Sequence, residues 1–197
     1  HIIGVQANLW TEYIPTFSQV EYMLMPRIAA LAEVQWTDPS KKEYQSFLSR
    51  LARMTNLYDR LGYNYARHIF DVQATLTPNF EKGYLEVTFS TLGDGTIYYT
   101  LDGTEPSVNS NKYDTPLELK ENATIKAIVI RPNGKNSRVF SEEIKFNKAT
   151  LKPITLKDTP TSGYTFDGAP TLVDGIKGSE NYKTGRWLGF QGKYVDA

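Results

Sequence analysis

The chain of 197 residues has no cysteine, two histidines, three methionines and no excess of either charge. The absence of cysteine excludes disulfides and thiol catalysis, but it leaves the compartment open, because many exported bacterial proteins also manage without cysteine. Lys plus Arg and Asp plus Glu both total 22, so no global field draws the chain to nucleic acid or to an anionic membrane. No apolar run approaches the roughly 20 residues that span a bilayer. The opening His1-Ile2-Ile3-Gly4 has neither a basic n-region nor an initiator methionine, and it reads as the middle of a longer polypeptide. What is present is ordinary in bulk: 40% hydrophobic and 22% charged residues, enough to bury cores, over a length expected to make one large or two small domains.

The hydrophobic pattern changes along the chain. Ile2 to Val5, continuing through Gln6-Ala7-Asn8-Leu9-Trp10, has the pattern of a strand buried on both faces, as in parallel sheets. Ser18-Gln19-Val20-Glu21 reads as a capping box opening a helix that carries Val20, Leu24, Ile28 and Leu31, with Pro26 placed to kink it or shift its start. Asp38-Pro39 is expected to cap a second helix whose stripe is Phe47, Leu51, Met54, Tyr58 and Leu61, ending at Gly62. One doubly buried strand and two helices leave a strand face uncovered, so this part needs neighbours that the chain does not supply.

From Phe70 the period becomes two. Strands are expected at Asp71 to Leu76, Tyr84 to Thr91, Thr96 to Leu101, Ala123 to Arg131 and Ser137 to Phe146. Gly93-Asp94-Gly95 and Pro132-Asn133-Gly134 read as tight hairpins, and Asp102 to Pro116 as a long polar loop. The pattern predicts an antiparallel sandwich of immunoglobulin-like or fibronectin-like type. After a proline-punctuated connector, recurrent glycines punctuate a segment bearing Tyr and Trp, which reads as a loop-rich β piece too short to close a sandwich.

Trp10-Thr11-Glu12 is the sharpest chemical feature, because it follows the expected strand where α/β barrels place their active-site side chains. A Trp ring can lie against the C–H face of a pyranose, and a carboxylate two residues on can accept hydrogen bonds from vicinal hydroxyls. The alternative from spacing alone is a core Trp beside a solvated Glu. Asp102 and Glu105 suggest either calcium or, preferably, an Asx-turn that fixes a loop, so no metal is assigned and no cofactor is expected. Glu142-Glu143 is the only adjacent acidic pair, and strand alternation points its members to opposite faces. Trp187 and Phe190 are either glycan-facing or core aromatics, and His68 has no visible chemical partner.

Gly4 to Tyr13, followed by Met25-Pro26-Arg27-Ile28-Ala29-Ala30-Leu31-Ala32-Glu33 and Trp36, resembles the last β/α unit of family 20 glycoside hydrolases, the β-N-acetylhexosaminidases. The resemblance implies that Trp10 forms part of the wall around the terminal N-acetylhexosamine, that Glu12 binds its hydroxyls, and that Arg27, Glu33 and Trp36 serve packing or ion pairing. It also implies substrate-assisted retaining hydrolysis, in which an Asp-Glu pair serves the reaction. The 197 residues contain no Asp-Glu dipeptide, so no catalytic residue is assigned and the chain alone is expected to be inactive. Ile97 to Ser107, with Tyr113 and Ile125 to Ile128, resembles the sandwich domain that follows the barrel in chitobiases. Leu172 to Ile176 with Trp187 to Gly192 resembles the opening of a discoidin-type (F5/8 type C) module, which makes Trp187 a candidate glycan contact.

The expected organisation is therefore multidomain, α/β plus all-β. It comprises a terminal β/α unit of a (β/α)8 barrel at 1–69, an immunoglobulin-like sandwich at 70–147, a linker at 148–160 and a truncated discoidin-like module at 161–197. The expected partners are glycans bearing terminal N-acetylhexosamine and an N-terminal barrel of the same polypeptide, with no nucleic acid and no membrane span. The expected location is periplasmic, cell-surface or secreted, in a bacterium. The competing expectation is a noncatalytic glycan-binding or adhesion protein built of tandem β-modules.

Overall fold

The computed structural model describes residues 3–132, 134–178 and 186–192; it runs from an irregular segment through three helices into a seven-stranded β-sandwich and a turn-rich end. Over its described residues, 3–10, the strand expected at Ile2 to Trp10 does not form. Residues 3–12 are exposed and lie outside both sheets. A strand needs a ladder partner for its N–H and C=O groups, and no strand among the described residues lies beside this one. Gln35 Nε2 donates to Val5 O at 3.0 Å and ties the segment to the helices behind it.

Helix α1 (Phe17–Leu24) is capped by Thr16, not by Ser18 as the capping-box reading has it. The Thr16 hydroxyl accepts the Gln19 N–H at 3.3 Å. Ser18 and Glu21 bond elsewhere. Asn64 donates from its side chain to Ser18 Oγ (2.9 Å) and from its backbone to Glu21 Oε2 (3.1 Å), so a tertiary partner takes the groups that a local cap would have used. Pro26 does divide the helical run, and α2 (Arg27–Trp36) starts after it. Arg27 Nη1 donates to the carbonyls of Tyr22 and Met23, which satisfies acceptors at the open end of α1. Neither α1 nor α2 has a buried residue.

Asp38-Pro39 caps only a 3₁₀ turn, Pro39–Lys41, where Asp38 accepts the Ser40 N–H at 2.8 Å. Helix α3 (Tyr44–Leu61) begins later, with Glu43 accepting the N–H groups of Gln45 and Ser46. It ends as expected at Gly62, whose φ of 74° is the left-handed conformation that a helix C′ position requires. The buried line on α3 is Leu51, Thr55 and Tyr58. Met54 and Leu61 of the expected stripe are exposed, because α3 meets the sandwich along one narrow line.

The sandwich stacks an antiparallel three-stranded sheet on an antiparallel four-stranded one. The first sheet holds β1 (Gln73–Asn79), β2 (Tyr84–Ser90) and β5 (Leu117–Leu119), in the order β1-β2-β5. The second holds β3 (Thr96–Thr100), β4 (Asn111–Lys112), β6 (Ala123–Ile130) and β7 (Phe140–Ile144), in the order β4-β3-β6-β7. Alternation drives this arrangement. Leu85, Val87 and Phe89 of β2 and Ile125, Ala127 and Val129 of β6 point to one shared core, closed by Ile97, Leu119 and Ile144. β4 and β5 fall within or just after the loop expected to be polar and irregular, where they are too short to show a period.

Gly93-Asp94-Gly95 is not a hairpin. It carries the chain from β2 in one sheet to β3 in the other. Gly95 is needed there for space, since an added Cβ would lie 2.4 Å from Val129 Cγ1. The first hairpin is instead β1-β2, closed by Gly83 N–H to Asn79 O at 2.8 Å. The turn around Pro132 and Gly134 does join neighbouring strands, β6 and β7. Pro78 sits in β1 at an edge, the position in a sheet that tolerates a missing N–H donor.

Helix α3 is fastened to the sandwich through a polar and aromatic junction. Tyr58, Tyr65 and Phe70 bury their rings together, with Tyr58 and Tyr65 centroids 5.5 Å apart. Asp59, whose side chain is 13% exposed, pairs with Lys135 at 2.5 Å and accepts the Tyr65 hydroxyl at 3.2 Å. Asp71 accepts the backbone N–H of Arg138 at 3.0 Å and its Nε at 2.7 Å, and the Thr91 hydroxyl donates to Phe70 O. Burial pushes the Asp59 carboxyl up, but the Lys135 hydrogen bond and charge, with Tyr65 and Arg67, outweigh it and hold the group below the usual range.

Beyond β7, the described residues form no strand but turns and one 3₁₀ turn, Ala169–Leu172. Tyr164, Gly168 and Thr171 each donate an N–H to a carbonyl three residues back, which uses the groups that a ladder would need. Leu151 and Val173 are buried and joined by Leu151 N–H to Val173 O at 2.6 Å, and Ile176 packs against the sandwich core. Residues 179–185 and 193–197 lie outside the described residues.

Ile125 is fully buried, and Ile125→Ala should destabilise the chain by about 2–5 kcal/mol in a urea melt. Gly95→Ala should cost about 1–3 kcal/mol through overpacking against Val129. For Asp59, a folded pKa below the unfolded value of about 3.9 means stability that is present at neutral pH and lost as pH falls through the folded pKa. The melting temperature of the wild type should therefore drop between pH 5 and the acid limit, and Lys135→Met should flatten that part of the profile.

Candidate functional site

Trp10 and Glu12 stand on the segment between residue 3 and α1, where Ile14 N–H to Thr11 O at 2.9 Å closes a turn. The turn leaves both side chains in the open. Trp10 is 78% exposed, and Glu12 is exposed with no ion pair or side-chain hydrogen bond among the described residues. Together they offer a flat apolar ring and two free carboxylate oxygens two residues apart, a pairing suited to one face and the hydroxyls of a pyranose.

The residues expected to support this segment divide. Glu33 Oε1 pairs with Arg50 Nη2 at 2.5 Å, and Arg27 holds the end of α1 as described. Trp36 is 86% exposed. A cleft of about 370 Å³ lined by Ala30, Val34, Tyr44 and Phe47 opens between α2 and the start of α3, so the helices themselves present an apolar surface.

Trp187 lies elsewhere, in the turn-rich end. It is 43% exposed, and its ring comes so near Gly178 that a Cβ there would sit 3.3 Å from Trp187 Cε2. The adjacent Arg186 pairs with buried Asp174 at 2.7 Å and lies over the Phe166 ring at 5.2 Å. Burial raises the Asp174 carboxyl above its ordinary value despite hydrogen bonds from Ile176 N–H and Arg186. Phe190 is half-buried.

The acidic candidates are engaged. Asp102 Oδ1 accepts the N–H and hydroxyl of Thr104 at 3.0 and 2.6 Å, hydrogen bonds that hold its carboxyl below the usual range, and Glu105 pairs with Lys126. This is the loop-fixing Asx arrangement. Glu142 and Glu143 follow the alternation of β7 to opposite faces, and Glu143 pairs with Lys145 at 3.0 Å. His68 is exposed at the start of the 3₁₀ turn His68–Phe70, whose Phe70 is buried.

Sequence reasoning missed Asp59, Lys135 and Arg131. For the first two no local signal exists, since 76 positions separate them. Arg131 did carry one: Ile125, Ala127 and Val129 point inward, and the same parity aims residue 131 to the core side.

Comparison with known proteins adds to this geometry. Residues 1–39 match the model of the glycosyl hydrolase family 20 catalytic domain. The amino-terminal 39 residues are therefore similar to that catalytic domain. Residues 85–144, which run from β2 to the end of β7, match the Fn3 associated family. A β-hexosaminidase of Porphyromonas gingivalis is 32% identical over 162 residues, which is 78% of this chain and 20% of that protein. A β-N-acetylhexosaminidase of Cellulomonas fimi is 39% identical over 64 residues, 32% of the chain and 13% of that protein. A Vibrio vulnificus β-hexosaminidase is 51% identical over 41 residues, 21% of the chain and 5% of that protein. The chain thus spans a fifth or less of the length of these relatives. The matched residues 1–39 contain both Trp10 and Glu12.

The exposure of the tryptophans is open to measurement. Iodide should quench Trp10, isolated by Trp36→Phe and Trp187→Phe, nearly as well as it quenches free N-acetyltryptophanamide; a blue-shifted, protected emission would contradict the placement of Trp10.

Proposed function

We propose that this chain is part of an exo-acting β-N-acetylhexosaminidase that removes terminal β-linked N-acetylhexosamine from glycans. The observation that carries the proposal is the family 20 match over residues 1–39, with Trp10 and Glu12 exposed and free of partners inside it. In this reading Trp10 lies against the sugar face and Glu12 accepts hydrogen bonds from its hydroxyls.

The reaction proceeds by substrate assistance. The 2-acetamido oxygen attacks C1 and displaces the leaving oxygen, which a carboxylic acid protonates, and water then opens the cyclic intermediate with retention. A neighbouring carboxylate orients the acetamido group. The chain has no Asp-Glu pair, so both acids come from a longer polypeptide and the 197 residues alone are inactive. The exposed apolar faces of α1 and α2, with Ile28, Val34 and Trp36 uncovered, support a reading in which these helices lie against further β/α units of a barrel. The unpaired residues 3–12 then join its sheet. The turn-rich end begins a discoidin-like module, and the whole acts outside the cytoplasm.

The test compares this chain with a longer polypeptide containing a full barrel, using p-nitrophenyl N-acetyl-β-glucosaminide. Only the longer form should release nitrophenol, and Trp10→Ala or Glu12→Gln in it should reduce kcat/KM about tenfold or more. Unchanged turnover in both variants would reject the site. Inactivity of the longer form, with retained binding on a glycan array, would favour a noncatalytic glycan-binding protein.

A further inference from the structure

Arg131 follows β6 with the parity of the core residues, and only 9% of it is exposed. Its guanidinium carbon lies 4.4 Å from the centroid of the Phe70 ring, and its Nε is buried with no hydrogen-bond acceptor. Among the described residues no carboxylate lies within ion-pair distance of it. The acids of the junction are engaged elsewhere, Asp59 by Lys135 and Asp71 by Arg138. A guanidinium does not escape burial by losing its proton, and its planar fork matches a carboxylate through two parallel hydrogen bonds. The buried arginine therefore lacks the anion that would normally accompany it.

Arg131 lines a cleft of about 440 Å³ between α3 and the β2-β3 crossing, within the roughly 300–1,000 Å³ range of small-molecule sites. Arg53 and Asn56 stand on the helical wall, and Gly93 and Asp94 stand opposite. Arg53 has no ion pair among the described residues, so the cleft carries two unmatched cations. Asp94 supplies the contrary charge. It disfavours a compact multivalent anion such as sulfate or phosphate, yet its oxygens suit the hydroxyls of a polyol, as does the Asn56 amide.

We propose that this cleft binds a hydroxylated monocarboxylate, a sugar acid, with its carboxylate on Arg131 and its hydroxyls on Asn56 and Asp94. The site is separate from Trp10 and Glu12 and does not depend on the hydrolytic reading; the two stand or fall on different ligands.

The full chain, isotopically labelled, is titrated with D-glucuronate, D-glucose and sodium sulfate and followed by amide chemical shifts. Glucuronate should bind saturably, with shifts at Asn56, Gly93 and Asp94, and glucose and sulfate should bind about tenfold more weakly or not at all. Arg131→Gln should weaken glucuronate about tenfold or more, as expected for loss of a charge-assisted pair. Because Arg131 is buried, Arg53→Gln at the exposed wall provides a variant that keeps the wild-type melting temperature, and it should weaken binding several-fold. Absence of saturable glucuronate binding would overturn the proposal. So would sulfate or glucose binding as tightly as glucuronate, or glucuronate affinity unchanged in Arg53→Gln and in folded Arg131→Gln.

Discussion

Burying Asp59 at the end of α3 constrains both halves of the structure, because a carboxylate with so little exposure must find its counter-charge nearby. It finds Lys135, which belongs to the turn between β6 and β7 of the sandwich. The helix end and the hairpin are thereby held together, and the Tyr65 hydroxyl that also serves Asp59 brings its ring against Phe70. The polar contact places the aromatic ones, and both place the entry to β1. Removing Lys135 would take away the nearest counter-charge and leave Arg67, 3.9 Å away, while replacing the whole pair with apolar groups would be far milder. Position, more than energy, is what this interaction supplies.

The molecule is consequently uneven. Its firm part runs from the middle of α3 through β7, where the buried residues concentrate, and its loose part is the amino-terminal segment with α1 and α2. Asn64 bridges the two, holding Ser18 and Glu21 of α1 from the loop that follows α3. The candidate sugar contacts Trp10 and Glu12 sit on the loose part, where their own neighbours hold them only lightly. A binding site needs side chains locked by packing, and the packing for this one is not supplied by residues 3–61.

How much of this was legible follows from the range of each signal. The sandwich strands were readable from alternation, because period two reports a buried face directly, and Gly62 marked the end of α3 because only a left-handed residue fits there. The caps were misplaced where a distant group intervened: Ser18 and Glu21 have the local spacing of a capping box, but Asn64 outbids the local arrangement. The crossing at Gly93 to Gly95 looked like a hairpin because turn chemistry is the same whether the next strand pairs with the last or joins the other sheet. For the site, Trp10 and Glu12 were singled out by their place after an expected strand, whereas that strand itself needs partners that no sequence pattern can provide.

The edges of the two sheets bear on how such a sandwich behaves when many copies are crowded together. β1 carries Pro78, β4 has two residues and β5 three, and β7 ends beside the Glu143–Lys145 ion pair. Each exposed border is interrupted, abbreviated or charged, so a neighbouring chain meets no long run of unpaired N–H and C=O groups to extend. A β-rich protein built this way can be concentrated at a surface without its sheets growing into fibrils, and the burden of unwanted association shifts from the sandwich to the bare apolar helices that precede it.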